Sequence, residues 1–299
     1  MNQSLKIIFF GNERLSSDFR FEDPPTLKAL LNSGHTVVAI VANYHETTSR
    51  KKRQLEVKQF AEQNHIPIYL PGSLKEIHPD LKNLKPDIGV LVAYGKIVPQ
   101  EIIDIFPHGI INIHPSLLPL YRGSTPIEQA ILDGAKSTGV SLMSLVKAMD
   151  AGPLFAQQKV ELTGNESKQE LTARLLKLGG EMLLKNMSAI VDGSLKPTNQ
   201  DDSNATYCKL LAKSDGNIDL NKTASTLEKE IRAYSGWPKS HLEIFGQPIV
   251  INQAKVVANL SDGDLVISCA NNTFLEITQL TGPSGRTMNG AEFLRGYKK

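Results

Sequence analysis

Cysteine is nearly absent: Cys208 and Cys269 are the only two in 299 residues. Two thiols exclude a disulfide framework and a cysteine-ligated cluster, and are expected as small buried apolar side chains in a reducing, cytoplasmic setting. No apolar run approaches the roughly 20 residues of a membrane span. The start, Met1-Asn2-Gln3-Ser4-Leu5-Lys6, lacks the charged-then-apolar signature of a secretory signal, so no membrane role is expected. No Gly-x-Gly-x-x-Gly follows the first apolar run, where Gly11-Asn12-Glu13 stands, and no Gly-Lys-Ser/Thr phosphate loop occurs. These absences disfavour a nicotinamide dehydrogenase and a nucleoside triphosphatase; the glycine is expected to make a turn or let backbone approach a substrate. An excess of one charge is missing too, with 33 Lys and Arg against 31 Asp and Glu. That balance permits an RNA partner without arguing for one.

What is present fits a globular chain of two domains, at 40% hydrophobic and 21% charged residues. Buried strands are expected at Leu5–Phe10, Thr36–Val41, Asp87–Val92, Gly109–Ile113 and Val140–Leu145. Helical patterns fall at Pro25–Leu31, Leu55–Gln63 and Pro126–Leu132, and Ser167–Val191 reads as a long helix broken near Gly179-Gly180. Alternation of this kind implies an α/β fold, a Rossmann-like mostly parallel sheet with helices on both faces, over residues 1–192. The polar, proline-bearing stretch 193–207 has linker composition. Beyond it, residues 208–299 show one helix, Lys222–Tyr234, then short runs around tight-turn candidates at Gly246-Gln247 and Asn271-Asn272. Such runs predict a small OB-like β-barrel.

The chemistry concentrates in Gly109-Ile-Ile-Asn112-Ile-His114-Pro115-Ser116-Leu117-Leu118-Pro119, followed by Tyr121-Arg122-Gly123. Asn112 and His114 are two apart on an apolar strand, so both point to one side. Pro115 stops the ladder and sets the pair at the strand's carboxyl end, where open α/β sheets bind ligands. An amide and an imidazole there could hold and protonate an oxygen that becomes negative; the plainer alternative is a buried pair satisfying each other. Asp150, before Ala151-Gly152-Pro153, could be an ordinary turn residue. Parallel strands would instead bring its strand end beside that of His114, where a carboxylate orients an imidazole and favours its charged form. Arg50-Lys51-Lys52-Arg53 is the densest basic cluster, either a solvated loop or a contact for phosphates.

Asn112 to Pro119 with Tyr121-Arg122-Gly123 resembles the signature of formyltransferases that use 10-formyltetrahydrofolate, and Asp150 stands where that superfamily keeps its third catalytic residue. Val92-Ala93-Tyr94-Gly95, with Ile97 and Pro99, is similar too. In the second domain, Ile218-Asp219-Leu220, Arg232-Ala233-Tyr234 and Trp237-Pro238 resemble the C-terminal module of the methionyl-tRNA formyltransferase family. The resemblance covers nearly the whole chain. It implies formyl transfer to the α-amine of initiator methionyl-tRNA for translation initiation, with no metal, by a monomer.

Carried over by position, Asn112 would hydrogen-bond the formyl oxygen and oxyanion, His114 would act as acid/base and donor, and Asp150 would orient His114 through an ordered water. Ser116, Leu117, Leu118 and Pro119, with Val92, Tyr94 and Gly95, would line the folate site. Arg50, Lys51, Lys52 and Arg53 would meet the tRNA. The chain departs from the family pattern in an insertion at Arg14–Asp23, in a short Asn43–Gln54 loop without a Gly-Arg-Gly run, and in Ser235-Gly236 before Trp237. The alternatives are formylation of an amino-sugar nucleotide by the same chemistry, or a non-catalytic RNA-binding protein on the same fold. Retention of all three polar residues opposes the last.

Overall fold

The computed structural model describes residues 4–13, 24–43 and 55–298. Up to residue 192 it contains strands β1 (Lys6–Gly11), β2 (Thr36–Val41), β3 (Ile68–Tyr69), β4 (Ile88–Val92), β5 (Ile110–His114), β6 (Arg122–Gly123), β7 (Ser137–Ser144) and β8 (Leu154–Glu161). The helices there are α1 (Pro25–Leu31), α2 (Glu56–Gln63), α3 (His78–Asn83), α4 (Gln100–Ile103), α5 (Pro126–Leu132) and α6 (Lys168–Val191). Seven strands form one sheet in the order β3-β2-β1-β4-β5-β7-β8.

The strands read as continuous apolar runs because helices cover both faces of the sheet. Along β1, Ile7 and Phe9 enter a core shared with α1, α2, α5 and α6, while Ile8 and Phe10 enter a second core with α3 and α4. β2 and β4 flank β1 on opposite sides, so the carboxyl ends of β1 and β4 mark the switch point where such sheets open a crevice. Gly11, at the end of β1 with φ 127°, is glycine because a Cβ would overlap the Val92 carbonyl oxygen of β4. Strand–strand approach alone is enough to require glycine at that position.

Two features differ from the sequence-based expectation. β1 to β5 pair in parallel, but β7 runs antiparallel to β5, with His114 opposite Ser141 and Ile111 opposite Ser144. α5 has seven residues, about 10 Å at its rise, and does not return the chain across the length of β5. The chain therefore re-enters the sheet from the edge it left, and the carboxyl end of β7 lies beside the start of β5. Nor is α6 broken at Gly179-Gly180: it runs unbroken over 24 residues. A Cβ on Gly179 would overlap Ile113 Cγ2, so this glycine lets α6 lie close against β5. The polar edge strand β8, with Gln157, Gln158 and Lys159 exposed, gave no strand signal.

The C-terminal part contains β9 (Tyr207–Cys208), α7 (Ala224–Ala233), β10 (Ser240–Ile244), β11 (Gln247–Val257), β12 (Val266–Cys269), β13 (Thr273–Thr281), β14 (Thr287–Asn289) and α8 (Gly290–Tyr297). β9 leaves this part to pair in parallel with β6. The other five form an antiparallel sheet, β10-β11-β13-β12, with β14 sharing the β12 edge of β13. Among the described residues no pairing closes it into a barrel. Its first hairpin turns at Phe245-Gly246, with φ 53° and 70°, one residue before the expected position; this is the type I′ geometry that matches strand twist. Ile249, Ile251, Leu275, Ile277 and Leu280 pack under α7 and α8. The end of α7 at Ala233 and the following Tyr234 also join the first core. Cys208 is buried as expected; Cys269 is only half-buried.

Candidate active site

The last residues of β5 carry the polar pair. Asn112 and His114 share one face, and both are buried, at 7% and 4% exposure. Ile113 between them points the other way into the core with α6. Pro115 ends the strand, and the chain folds back so that the Tyr121 carbonyl lies 3.0 Å from His114 Nε2. A carbonyl only accepts, so Nε2 carries the proton in that bond. Nδ1 is left facing Asp150 Oδ2 at 3.8 Å, within ion-pair reach but beyond a direct hydrogen bond.

Asp150 reaches this point by a route other than the expected one. Because β7 is antiparallel, the chain must loop back from its far end before β8, and Asp150 sits in that return with φ 48°. Its Oδ2 accepts from Gly123 N at 2.8 Å, and its Oδ1 accepts from Asn112 Nδ2 at 3.4 Å. A carboxylate only accepts, which fixes Nδ2 as the Asn112 atom facing it. Asn112, His114 and Asp150 thus converge within one small volume.

The following loop is held from below by β7 and β8. Ser141 Oγ donates to Ser116 O at 2.7 Å and accepts from Leu118 N at 3.1 Å and Gln157 Nε2 at 2.8 Å. That is the full capacity of a hydroxyl. Gln157 Nε2 also donates to Leu118 O at 2.7 Å, and Ser116 Oγ donates to Leu120 O at 2.6 Å. Ser116, Leu117, Leu118 and Pro119 are therefore rigidly presented, although Ser116 and Leu118 are themselves buried and Leu117 packs over Gly139. On the other side of β5, Val92 belongs to the core, and the Tyr94 ring stands edge-on to Phe10 at 5.8 Å. Burial pushes the Tyr94 hydroxyl up to about 12. What this turn offers is backbone: Ala93 and Gly95 have φ 51° and 73°. Among the described residues Ala93 to Ile97 make no backbone–backbone hydrogen bond.

Two further groups escaped the sequence reading. Arg122 is only 2% exposed, and its Nε and Nη2 donate to Gln200 Oε1 at 3.1 and 2.8 Å. Nη2 also meets Asp202 Oδ1 at 2.6 Å, and Nη1 meets Tyr207 Oη at 3.2 Å. Burial pulls this guanidinium down, but the bonds to Asp202 and Tyr207 outweigh it and hold the group above its ordinary value. Residues of the presumed linker are thus hydrogen-bonded into the wall of the site. Glu13, wholly buried, accepts from Thr26 N and Leu27 N at 2.8 Å each and caps α1. Burial drives its carboxyl up to about 7, against the lowering effect of those two bonds. A buried Arg inside a motif and an acid just past a first strand were the available signals; Gln200, in a polar run, had none. Arg50, Lys51, Lys52, Arg53 and the Arg14–Asp23 stretch lie outside the described residues.

Comparison with known proteins shows the family. The formyl transferase family model matches residues 14–187, and that of the formyl transferase C-terminal domain matches residues 210–298. Methionyl-tRNA formyltransferase of Sulfurihydrogenibium sp. is 35% identical over 98% of this chain and 97% of its own length. That of Roseiflexus castenholzii is 35% identical over 99% and 97%. In fold, the chain is similar to an N-formyltransferase from Helicobacter canadensis, solved with folinic acid and dTDP-3-aminofucose. That match has a TM-score of 0.66 at 19% identity, covering 91% of this chain and 98% of that one. With both family models matched and more than a third of residues shared along nearly its full length, the chain belongs to the methionyl-tRNA formyltransferase family.

Proposed function

We propose that this protein transfers the formyl group of 10-formyltetrahydrofolate to the α-amine of methionine on initiator tRNA, the formylation that precedes translation initiation. The observation that carries the reading is the convergence of the Asn112 amide, the His114 ring and the Asp150 carboxylate at the end of β5. The residues around it fit the folate cosubstrate. The backbone from Ala93 to Ile97, which makes no backbone–backbone hydrogen bond among the described residues, suits the hydrogen-bonding edge of a flat heterocycle, Gly95 leaves open the space a Cβ would take, and the Ser116–Pro119 loop forms a fixed opposite wall. When bound, 10-formyltetrahydrofolate supplies a formyl carbon open to attack by an amine.

This chain's own residues then have separate tasks. Asn112 Nδ2 has one hydrogen turned to Asp150 and a second available to an oxygen that gains negative charge. His114 holds its Nε2 proton on the Tyr121 carbonyl, so a proton taken from the attacking amine enters at Nδ1. There it lies against the Asp150 carboxylate, and from there it can be passed on to the departing nitrogen. Fixed placement and oxyanion stabilisation supply most of the rate. In this reading residues 1–192 are the catalytic unit and 208–299 the tRNA-binding unit, Arg50 to Arg53 meet tRNA phosphates, and the enzyme works as a cytoplasmic monomer.

The test mixes purified protein with 10-formyltetrahydrofolate and charged initiator methionyl-tRNA and measures formylmethionine. Formylation that fails with uncharged or elongator tRNA is the expected result. A second reading, formylation of an amino-sugar nucleotide, draws on the fold shared with the Helicobacter canadensis enzyme. Product with such a sugar and none with tRNA would favour it.

A further inference from the structure

We propose that Gln200 is a positioning residue for Asp150, acting together with Arg122; the proposal rests on the catalytic reading above. Asp150 sits in the left-handed region at φ 48°, uncommon for a non-glycine residue although aspartate is among those that reach it, so contacts that fix this backbone decide where the carboxylate points. Gln200 supplies that hold: its Nε2 donates to the carbonyls of both Asp150 and Gly152 at 2.8 Å. The amide has one orientation only. Its nitrogen faces two carbonyls and its oxygen faces two guanidinium N–H groups of Arg122, and a flip would leave four polar atoms mispaired.

Arg122 closes the circuit. The next residue, Gly123, donates its N–H to Asp150 Oδ2 at 2.8 Å, so one short segment holds the Asp150 carboxylate directly and the Asp150 backbone through Gln200. Arg122 is itself fixed by Asp202 and Tyr207, on the same short segment, 200–207, as Gln200. The 3.8 Å between Asp150 Oδ2 and His114 Nδ1 is therefore set by a side chain with no bond to either of those two atoms. Removing Gln200 leaves only the Gly123 and Asn112 contacts to hold the carboxylate and frees the backbone to leave its left-handed conformation, which lets the carboxylate drift from its place against His114.

The test is a kinetic double-mutant cycle on the full chain with methionyl-tRNA and 10-formyltetrahydrofolate. Gln200→Ala, and Gln200→Met as the variant that keeps the side-chain volume, should each lower kcat about tenfold or more, while the folate KM stays within about twofold. In an Asp150→Ala background the Gln200→Ala change should add less than about a twofold loss, because its effect runs through that carboxylate. Wild-type kcat in both Gln200 variants, or the same fold-loss in either background, overturns the proposal. A melting temperature lowered in step with kcat in both variants also overturns it, by assigning the loss to folding. Wild-type activity in Asp150→Ala itself would overturn the catalytic reading instead, and the proposal with it.

Discussion

Replacing Gly179 and Gly180 by alanine, one at a time, should move stability in opposite directions. Both sit in the middle of α6, where exchanging glycine for alanine gains about 0.5–1 kcal/mol of helix stability. At Gly180 the added methyl would lie 3.7 Å from Thr26 Cα, 3.8 Å from Thr26 Oγ1 and 3.9 Å from Ala29 Cβ, all ordinary contacts. The gain is kept, and the unfolding midpoint should rise by roughly 1–4 °C. At Gly179 the same methyl would overlap Ile113 Cγ2. Ile113 is β-branched, stiff at χ1, and sits on a strand buried on both faces, so it has little room to retreat. Overpacking of this kind costs about 1–3 kcal/mol, more than the helix gains, which leaves a net loss of roughly 0.5–2 kcal/mol. Because Ile113 lies between Asn112 and His114, the displaced strand should also lower kcat in Gly179→Ala and leave it unchanged in Gly180→Ala. Thermal unfolding followed by circular dichroism, with steady-state formylation beside it, reads both effects. A midpoint that rises in Gly179→Ala as it does in Gly180→Ala would refute the close α6–β5 packing.

Asn112→Ala and His114→Ala should each raise the barrier by roughly 3 kcal/mol, seen as a loss of about two orders of magnitude in kcat; near wild-type turnover would remove these residues from the chemistry. Glu13 binds its proton more tightly when folded, so between about 4.5 and about 7 the native state keeps a proton that the unfolded chain gives up. Stability should then fall across that window, by a contribution of about 3 kcal/mol, and level off above it. Glu13→Gln should flatten this part of a urea-denaturation pH series, and a slope equal to wild type would contradict the assignment. Arg50→Ala combined with Lys51→Ala should raise the tRNA KM and make it less sensitive to salt; unchanged salt dependence would leave the cluster a solvated loop.

Much of the fold is legible in local patterns. Pro25 and Pro126 open helices at their first position and mark the starts of α1 and α5. The two-residue spacing of Asn112 and His114, followed by Pro115, locates the polar pair on one face at a strand's end because side-chain alternation is a property of the strand alone. Strand direction is not local. Nothing in Val140–Leu145 distinguishes a parallel from an antiparallel neighbour, so the position of Asp150 was anticipated for a reason the topology does not support. The same limit explains Gly179-Gly180, whose composition suggests a break, while the role of Gly179 is a contact with a strand 66 residues earlier in the chain, at Ile113. Residues 193–207 are polar because they lie on the surface, and polarity on a surface does not tell a tether from a brace.

The parallel pairing of β6 with β9 bears on how the polypeptide can be cut. A fragment ending at residue 192 would retain Asn112, His114 and Asp150 but lose Gln200, Asp202 and Tyr207, the three partners of the Arg122 side chain. Its guanidinium would then lose all three side-chain partners that hold it in the wall of the site, a larger change than the loss of an exposed tail. A first unit that keeps these bonds extends at least through Cys208, and because Leu211, Ala233 and Tyr234 also enter its core, the natural place to separate the two halves does not lie in the stretch whose composition suggests a seam.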